Sequence, residues 1–336
     1  MPKNVLEIKN LNVEYKSKAT VFNKEKSVKA VNNLNLDIKK GEILAVAGES
    51  GCGKSTLAKS IACLTPVKSG EILFHGIDVL KLNSKKMKVY RQALQMIFQN
   101  PYSSLNPKMK IGEILKEPLD VNNDLCIYSE DNRALHELSK KEITEIVLKA
   151  LKTVGLDENV MNLYPHEFSG GQRQRIAIAR ALILQPEFII ADEPVSALDV
   201  SIQAQIINLL LSLKKEFDLT VLFISHDMNV IRTIADRIAI MYLGKIVEIG
   251  STEEIFNSPQ HPYTKALLDA VPSFSKKKVE ILTGDLPSPS NLPTGCKFHT
   301  RCKFCMEKCK NSEPELKSYW EEHEVACFLN DENNDM

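Results

Sequence analysis

Apolar and polar residues alternate one by one near the start of the chain, and continuous apolar runs replace this alternation further along. The alternation across residues 5–47, which is regular at 34–38, predicts strands of a small antiparallel sheet. The lysine-rich, polar residues 16–29 between these strands are predicted to form a loop. The apolar runs at 188–191 and 220–224 are typical of parallel strands that are buried on both faces.

Helical periodicity occupies other parts of the chain. Over residues 140–154, apolar positions recur three and four residues apart, which predicts a helix with one buried face. Further helices are predicted over residues 57–64, 84–95, 172–184 and 201–217. Helices that alternate with buried strands indicate an α/β fold.

The composition is that of a globular protein of roughly two domains, with 336 residues and a hydrophobic fraction of 43%. Lysine plus arginine and aspartate plus glutamate number 43 each, so the net charge is zero. This balance argues against a protein dedicated to nucleic acid. Because the chain has no apolar run of about 18 residues and its first ten residues lack the apolar core of a signal peptide, we expect a cytosolic location.

The strongest chemical signal is a phosphate-binding loop. The pattern G-x-x-x-x-G-K-[ST] is matched by Gly48-Glu49-Ser50-Gly51-Cys52-Gly53-Lys54-Ser55, with a strand predicted before it and a helix from Thr56 onward. Such a loop directs backbone N–H groups and a helix N-terminus at phosphate oxygens. We expect Lys54 to reach the β- and γ-phosphates and the Ser55 hydroxyl to bind Mg²⁺. An ordinary glycine-rich turn is the alternative, but both flanks agree with the phosphate loop.

Two carboxylates, Asp192 and Glu193, follow the predicted strand at 188–191. Phosphate-loop chemistry needs an acidic residue at the end of a buried strand to hold Mg²⁺, and we assign Asp192 to that role, acting through a water molecule. Glu193 is placed to polarise the attacking water as a general base. Two acids after an apolar strand also occur in ordinary solvated loops, an alternative that loses weight beside the phosphate loop.

A second helix start suited to anions follows at Phe168-Ser169-Gly170-Gly171-Gln172. It offers free backbone N–H groups and a serine hydroxyl, although an ordinary serine N-cap would look the same in isolation. The segment resembles the LSGGQ signature of ABC-type ATPases, with phenylalanine in place of leucine. The chain also contains the other motifs of that family in the family's order: the glutamine loop at 96–99, the D-loop at 196–199 and the switch histidine in 223–227. Tyr15 lies where the family places an aromatic residue that stacks on adenine.

The resemblance covers residues 5–260 and implies the ABC cassette fold: a phosphate-loop core, an antiparallel β subdomain and a helical signature subdomain. In that family two cassettes meet head to tail, and each signature binds the γ-phosphate held by the other cassette's phosphate loop. For the nucleotide of this chain, the resemblance implies that residues 48–56 and Tyr15 bind ATP. It implies that Ser55, Gln99 and Asp192 bind Mg²⁺, and that Glu193, His226 and Gln99 take part in catalysis. The signature residues would serve the partner's nucleotide, and they are Ser169, Gly170, Gly171 and Gln172. Taken alone, His226 and Tyr15 have ordinary alternatives, a loop hydrogen bond and strand-end packing.

Longer stretches resemble the F-type ATPase subunit of oligopeptide and dipeptide importers. They are residues 99–107, 164–171, 193–205, 261–264 and 286–289. The resemblance implies an ATP-hydrolysing subunit that powers the import of peptides, or of nickel in a related importer, from the cytoplasmic face of the membrane. Its implied partners are a D-type ATPase subunit, two membrane permease subunits and an extracytoplasmic peptide-binding protein, with no nucleic acid. Whether the ATPase pair is a heterodimer or a homodimer stays open.

Five of the eight cysteines lie near the C-terminus, and in a cytosolic protein such clustering indicates metal rather than disulfides. The family resemblance implies that Cys296, Cys302, Cys309 and Cys327 bind an iron–sulfur cluster of the [4Fe–4S] type, with Cys305 outside the set. Four thiolates suit zinc as well, and free reduced thiols are a third alternative.

The basic residues around these cysteines are expected to favour the thiolate form, and they are Lys297, Arg301, Lys303, Lys308 and Lys310. A metal centre here would supply much of the folding free energy of residues 295–330. We therefore expect Cys302→Ser to unfold that segment and to leave nucleotide binding at a distant phosphate loop intact.

The motifs divide the chain into an ABC ATPase cassette at residues 1–260, a proline-rich linker at 261–294 and a small, cysteine-rich C-terminal appendix at 295–336. Two other functions compete with transport. A soluble ABC ATPase that acts on ribosomes or DNA would usually carry two cassettes or long coiled-coil insertions, and the sequence shows neither. A redox- or metal-sensing regulator, with the cysteine region as its acting part, stays open.

Overall fold

The structure, a computed structural model, describes residues 3–16, 27–100, 104–122, 138–271, 286–288, 290–320 and 322–333. The described strands are β1 (Asn4–Lys16), β2 (Ser27–Lys39), β3 (Ile43–Ala47), β4 (Ser69–Phe74), β5 (Ile77–Asp78), β6 (Leu94–Ile97), β7 (Phe188–Asp192), β8 (Thr220–Ile224), β9 (Arg237–Tyr242), β10 (Lys245–Ser251), β11 (Lys317–Trp320) and β12 (His323–Val325). The described α-helices are α1 (Lys54–Ile61), α2 (Ser84–Ala93), α3 (Ile111–Val121), α4 (Lys140–Thr153), α5 (Gly170–Leu182), α6 (Val200–Phe217), α7 (Met228–Ile234), α8 (Thr252–Asn257), α9 (Pro262–Asp269), α10 (Glu307–Asn311) and α11 (Leu329–Asn333).

Contacts divide the chain into two compact units. Unit 1 comprises Met1–Leu80 and Phe223–Met336, and unit 2 comprises Lys81–Leu222. The boundary falls inside β8, whose five residues are all buried. The residues predicted as a cysteine-rich appendix belong to unit 1.

One sheet of unit 1 has the strand order β2-β1-β4-β5, and its strand pairs are antiparallel. In β2 the side chains of Leu34, Leu36 and Ile38 are buried, as their alternation with polar residues predicts. The antiparallel sheet predicted for the start of the chain is therefore confirmed. Most of the predicted loop at 16–29 lies outside the described residues.

A second set of strands in unit 1 has the order β11-β12-β10-β9-β3. Strand β3 is buried along its whole length and pairs parallel with β9, as its continuous apolar run favours. At the other side, β12 pairs antiparallel with β10, with Glu248 opposite Val325. Strands from the C-terminal region thus extend the sheet that carries the phosphate loop.

The stretch predicted as a proline-rich linker contains a helix, α9, with a buried first turn. Pro262 occupies the first turn, where its missing N–H costs nothing, and the His261 Nδ1 accepts a hydrogen bond from the Tyr263 N–H at 3.0 Å. Tyr263 is fully buried against Tyr242 and Phe298, with ring centroids 4.6 and 5.4 Å away. This part of the chain is therefore packed into the core of unit 1.

Unit 2 has a parallel pair of strands and several amphipathic helices. Strand β7 is completely buried and pairs parallel with β6, which confirms the prediction for the apolar run at 188–191. Helix α4 buries Ile143, Val147 and Leu151, the face that the periodicity predicts. It starts after Ser139, whose hydroxyl accepts a hydrogen bond from the Glu142 N–H while the Glu142 carboxylate accepts one from the Ser139 N–H.

Three predicted helices differ from the structure by two residues or more at one or both ends. The helix predicted over 57–64 is α1, which ends at Ile61 because Cys63 has a left-handed φ of 53°. The helix predicted over 84–95 ends at Ala93, and β6 follows at once. The helix predicted over 172–184 begins two residues earlier, after a cap at Ser169.

Candidate active site

The phosphate loop of unit 1 takes a path that only glycine permits at two positions. Gly48 and Gly53 have φ values of 154° and 112°, where other residues are strained. An added Cβ would lie 2.2 Å from the Met241 carbonyl oxygen at Gly48 and 2.2 Å from the Ala30 carbonyl oxygen at Gly53. Helix α1 begins directly after Gly53, so its first N–H groups lie at the end of the loop.

Lys54 lies inside this loop with its side chain buried. Its Nζ donates hydrogen bonds to the carbonyl oxygens of Gly48 at 2.7 Å and Glu49 at 3.0 Å, and it lies 3.8 Å from the Cys52 sulfur. Burial raises the pKa of the Cys52 thiol. The ammonium group is therefore held by neutral neighbours, which leaves its charge available to a phosphate.

The other predicted residues of the loop are less buried. Ser50 and Gly51 are exposed, and Ser55 and Thr56 lie half-buried in the first turn of α1. The hydroxyl of Tyr15 lies 3.5 Å from the Thr56 Oγ1. The structure thus places the predicted adenine-stacking residue, itself 42% exposed, at the end of β1 next to the helix that follows the loop.

Glu49 makes contacts that sequence reasoning missed. Its N–H donates to the Tyr263 hydroxyl at 2.9 Å, so this amide is not directed at a phosphate. Its carboxylate accepts two hydrogen bonds from Arg301, at 2.8 and 3.1 Å. Hydrogen bonding to Glu49 raises the pKa of the Arg301 guanidinium above its ordinary value, and burial raises the pKa of the Tyr263 hydroxyl.

His226 is exposed at the end of β8. Its neighbours hold its backbone in place, because the Asp227 N–H donates to the Ser225 hydroxyl at 3.1 Å and the Asp227 carboxylate caps α7 by accepting from the Asn229 N–H at 2.8 Å. The imidazole is therefore presented to solvent from a rigid turn.

In unit 2 the predicted general base, Glu193, and the glutamine-loop residue, Gln99, are in contact. The Gln99 Nε2 donates a hydrogen bond to the Glu193 carboxylate at 2.7 Å. Asp192, the last residue of β7, is buried. Glu193 has a φ of 47°, a left-handed conformation that costs about 1 kcal/mol or more and that clusters at functional sites.

The signature segment of unit 2 forms a reciprocal cap on α5. The Ser169 hydroxyl accepts from the Gln172 N–H at 3.4 Å, and the Gln172 side-chain oxygen accepts from the Ser169 N–H at 3.0 Å. A Cβ added to Gly171 would lie 2.5 Å from the Ile202 Cγ2, so the packing of α5 against α6 by itself requires glycine there. Gly170 is half-buried, and Ser169 is exposed.

The predicted metal-binding cysteines line one small cavity of unit 1, of about 10 Å³, and they are Cys296, Cys302, Cys309 and Cys327. Cys305 is not among the residues that line it. A cavity of this volume holds about one water molecule, so the thiols must move apart to enclose a four-iron cluster. Among the described residues, no group of three or more histidine, cysteine, aspartate or glutamate side chains is arranged to hold a metal ion.

The expectation that basic residues favour thiolates here is wrong. Burial raises the pKa of Cys296 to about 11 and that of Cys327 to about 12, and the neighbouring thiols add to both shifts. Four of the five basic side chains pair with carboxylates instead, and the pairs are Lys297 with Glu313, Arg301 with Glu49, Lys308 with Asp331 and Lys310 with Glu307. A metal would have to displace protons from these thiols in order to bind.

Within the described residues, none of the helices combines the length and the apolar character needed to span a bilayer.

Comparison with known proteins shows the family of this chain. A family model described as ABC transporter matches residues 31–196, and one described as the C-terminal region of oligopeptide/dipeptide transporters matches residues 247–309. The oligopeptide transport ATP-binding protein OppF of Haemophilus influenzae is 48% identical over 332 residues, which cover 96% of each chain. The dipeptide transport ATP-binding protein DppF of Escherichia coli is 44% identical over 333 residues, which cover 98% of this chain and 95% of that protein.

Solved structures give the same class. One is a dimeric ATP-binding cassette in a post-hydrolysis state, bound to ADP and Pi, with a TM-score of 0.61 and 32% sequence identity. The matched region covers 74% of this chain and 98% of that cassette. Another is cbiO1 of Clostridium perfringens, part of the ABC transporter complex cbiONQ, with a TM-score of 0.63 and 28% sequence identity. The matched region covers 76% of this chain and 91% of cbiO1. The chain is thus an ATPase of the ABC transporter class. It belongs to the family of ATP-binding proteins of oligopeptide and dipeptide transporters.

Proposed function

We propose that this chain hydrolyses ATP to power the import of oligopeptides or dipeptides, as a peripheral subunit on the cytoplasmic face of the membrane. The hydrolytic part rests on the conformation of Glu193, which is left-handed at the end of β7, and on the hydrogen bond that its carboxylate accepts from Gln99. The peptide part rests on the similarity to OppF and DppF over almost the whole chain.

In the proposed mechanism each motif has one chemical task. Lys54 and the loop amides other than that of Glu49 would neutralise the phosphates of ATP, and Ser55, Asp192 and Gln99 would hold the Mg²⁺ that offsets their charge. Glu193 orients and polarises the attacking water. His226 donates to the γ-phosphate from its turn and stabilises the charge that develops during its transfer.

The signature segment completes a second cassette's site in this proposal. Ser169 is exposed at the start of α5, with Gly170 and Gly171 behind it, so its hydroxyl and the nearby N–H groups are accessible to an external anion. We assign these groups, with Gln172, to the ATP of a D-type partner subunit, and the partner's signature to the ATP of this chain. Two permease subunits and an extracytoplasmic peptide-binding protein complete the importer.

The isolated chain should therefore hydrolyse ATP slowly. The partner ATPase and the permeases should raise its turnover about tenfold or more, because they supply the missing groups around the transferred phosphate. Turnover is measured on the purified chain, and on the complex in vesicles with peptide-loaded and peptide-free binding protein.

Peptide-loaded binding protein should give the higher rate of the two. An isolated chain that turns over as fast as the full complex would contradict the coupling of hydrolysis to import. Residues 99–107 are the proposed surface for the permease, although 101–103 lie outside the described residues.

We also propose that the four cavity cysteines hold a metal centre, a [4Fe–4S] cluster in preference to zinc. The support is the convergence of those four thiols, without Cys305, on one cavity. The bound group would add covalent cross-links between residues distant in the chain and so stabilise this part of unit 1.

Protein purified without oxygen should then be brown and contain iron and acid-labile sulfide. Cys302→Ser should remove the colour, and Cys305→Ser, the matched control, should keep it. Iron and sulfide are measured by chemical assay and zinc by mass spectrometry. Stoichiometric zinc in colourless protein would decide for zinc, and loss of colour in the Cys305 variant would show that the ligand set is different.

A further inference from the structure

The cysteine-rich region contacts the phosphate loop through a partly buried ion pair. Arg301 and Glu49 lie 252 positions apart in the chain, and the guanidinium nitrogens approach the two carboxylate oxygens to 2.8 and 3.1 Å. The side chains are only 7% and 26% exposed. The phosphate loop is therefore not distant from the cysteine region, contrary to the expectation from the sequence.

Arg301 is anchored by the aromatic core of unit 1. The backbone N–H of Arg301 donates to the Phe298 carbonyl oxygen at 3.0 Å, which closes a turn. The Phe298 ring packs against Tyr242 and Tyr263, with centroid distances of 5.3 and 5.4 Å. The Tyr263 hydroxyl in turn accepts the Glu49 N–H. One cluster thus holds both the backbone and the side chain of Glu49.

The charge of Glu49 makes this contact relevant to ATP. A carboxylate beside a loop that binds several phosphate charges repels the ligand unless a cation neutralises it. Arg301 supplies that cation in a bidentate geometry, which also fixes the direction of the carboxylate. Among the described residues, Arg301 is the basic side chain that forms an ion pair with the Glu49 carboxylate.

We propose that Arg301 is a positioning residue for ATP binding: it neutralises Glu49 and holds the phosphate loop in its binding conformation. The C-terminal region is on this view part of the nucleotide-binding machinery. The inference rests on the proposed binding of ATP by the phosphate loop.

The test compares Arg301→Gln, Glu49→Gln and the double variant in the full chain. Calorimetry with the non-hydrolysable analogue AMP-PNP and Mg²⁺ gives Kd, and steady-state assays give KM and kcat. Arg301→Gln should raise Kd and KM roughly tenfold and change kcat by less than about threefold, because it exposes the charge of Glu49 to the phosphates. Adding Glu49→Gln should bring Kd back to within about threefold of the unmodified chain, because the repelling charge is then gone.

Two further variants separate this role from simple loss of stability. Arg301→Lys keeps the charge without the bidentate contact, so its Kd should be intermediate. Lys310→Gln removes an equal charge from the same region, from an exposed pair with Glu307, and should leave Kd unchanged.

The outcomes are distinct. A normal Kd in Arg301→Gln, or a weakened Kd that Glu49→Gln does not restore, would overturn the positioning role. If Arg301→Gln does not fold, the Arg301→Lys variant decides: an unchanged Kd in it contradicts the proposal, and an intermediate Kd supports it. Failure of the unmodified chain to bind AMP-PNP would instead contradict the proposed function itself.

Discussion

Glu193→Gln should reduce ATP turnover by about 10²- to 10⁴-fold, the range by which a positioned general base accelerates such reactions. Glutamine keeps the size of the side chain and a hydrogen-bonding oxygen, but it does not accept the proton of the attacking water. ATP should still bind, because the groups that we assign to the phosphates are elsewhere, at Lys54 and the loop amides. Phosphate release at saturating ATP, together with AMP-PNP binding, measures the two effects separately.

A matched control for this variant is Glu216→Gln, which changes the same charge on an exposed residue near the end of α6. Its turnover should equal that of the unmodified chain. In the assembled complex, Glu193→Gln should also accumulate the closed, ATP-bound state. Unchanged turnover in Glu193→Gln would remove Glu193 from the role of base.

Lys54→Ala should weaken nucleotide binding itself by about 10- to 100-fold, because a hydrogen bond from a charged donor contributes about 1.5–3 kcal/mol. In the unmodified chain the Lys54 ammonium donates hydrogen bonds to the carbonyl oxygens of Gly48 and Glu49, so the variant also loses two contacts within the loop. Calorimetry with AMP-PNP and Mg²⁺ measures the change in Kd.

Lys59→Ala is the control, because Lys59 lies on the same helix with an exposed side chain. It should bind AMP-PNP as the unmodified chain does. Retention of the normal Kd in Lys54→Ala would refute the assignment of Lys54 to the phosphates.

Local motifs could be predicted from the sequence because their chemistry depends on neighbouring residues. The turn at Gly48 and Gly53 excludes side chains through φ and close backbone contact, which a glycine pattern reveals directly. The buried strands β7 and β8 appear in the sequence as unbroken apolar runs, since both of their faces are covered. Helix ends are harder to predict, because a cap such as Ser169 or a left-handed residue such as Cys63 moves them by two or three residues.

The sequence by itself thus determined the class of protein and the order of its motifs, because both reside in short contiguous segments. Only the tertiary structure decided that Arg301 pairs with Glu49 and that the predicted linker contains α9, whose first turn is buried. It also decided that the thiols have raised pKa values despite their basic neighbours. The physical reason is that ion pairing and desolvation depend on which distant residues meet and how completely water is removed, and neither is encoded in the spacing of residues along the chain.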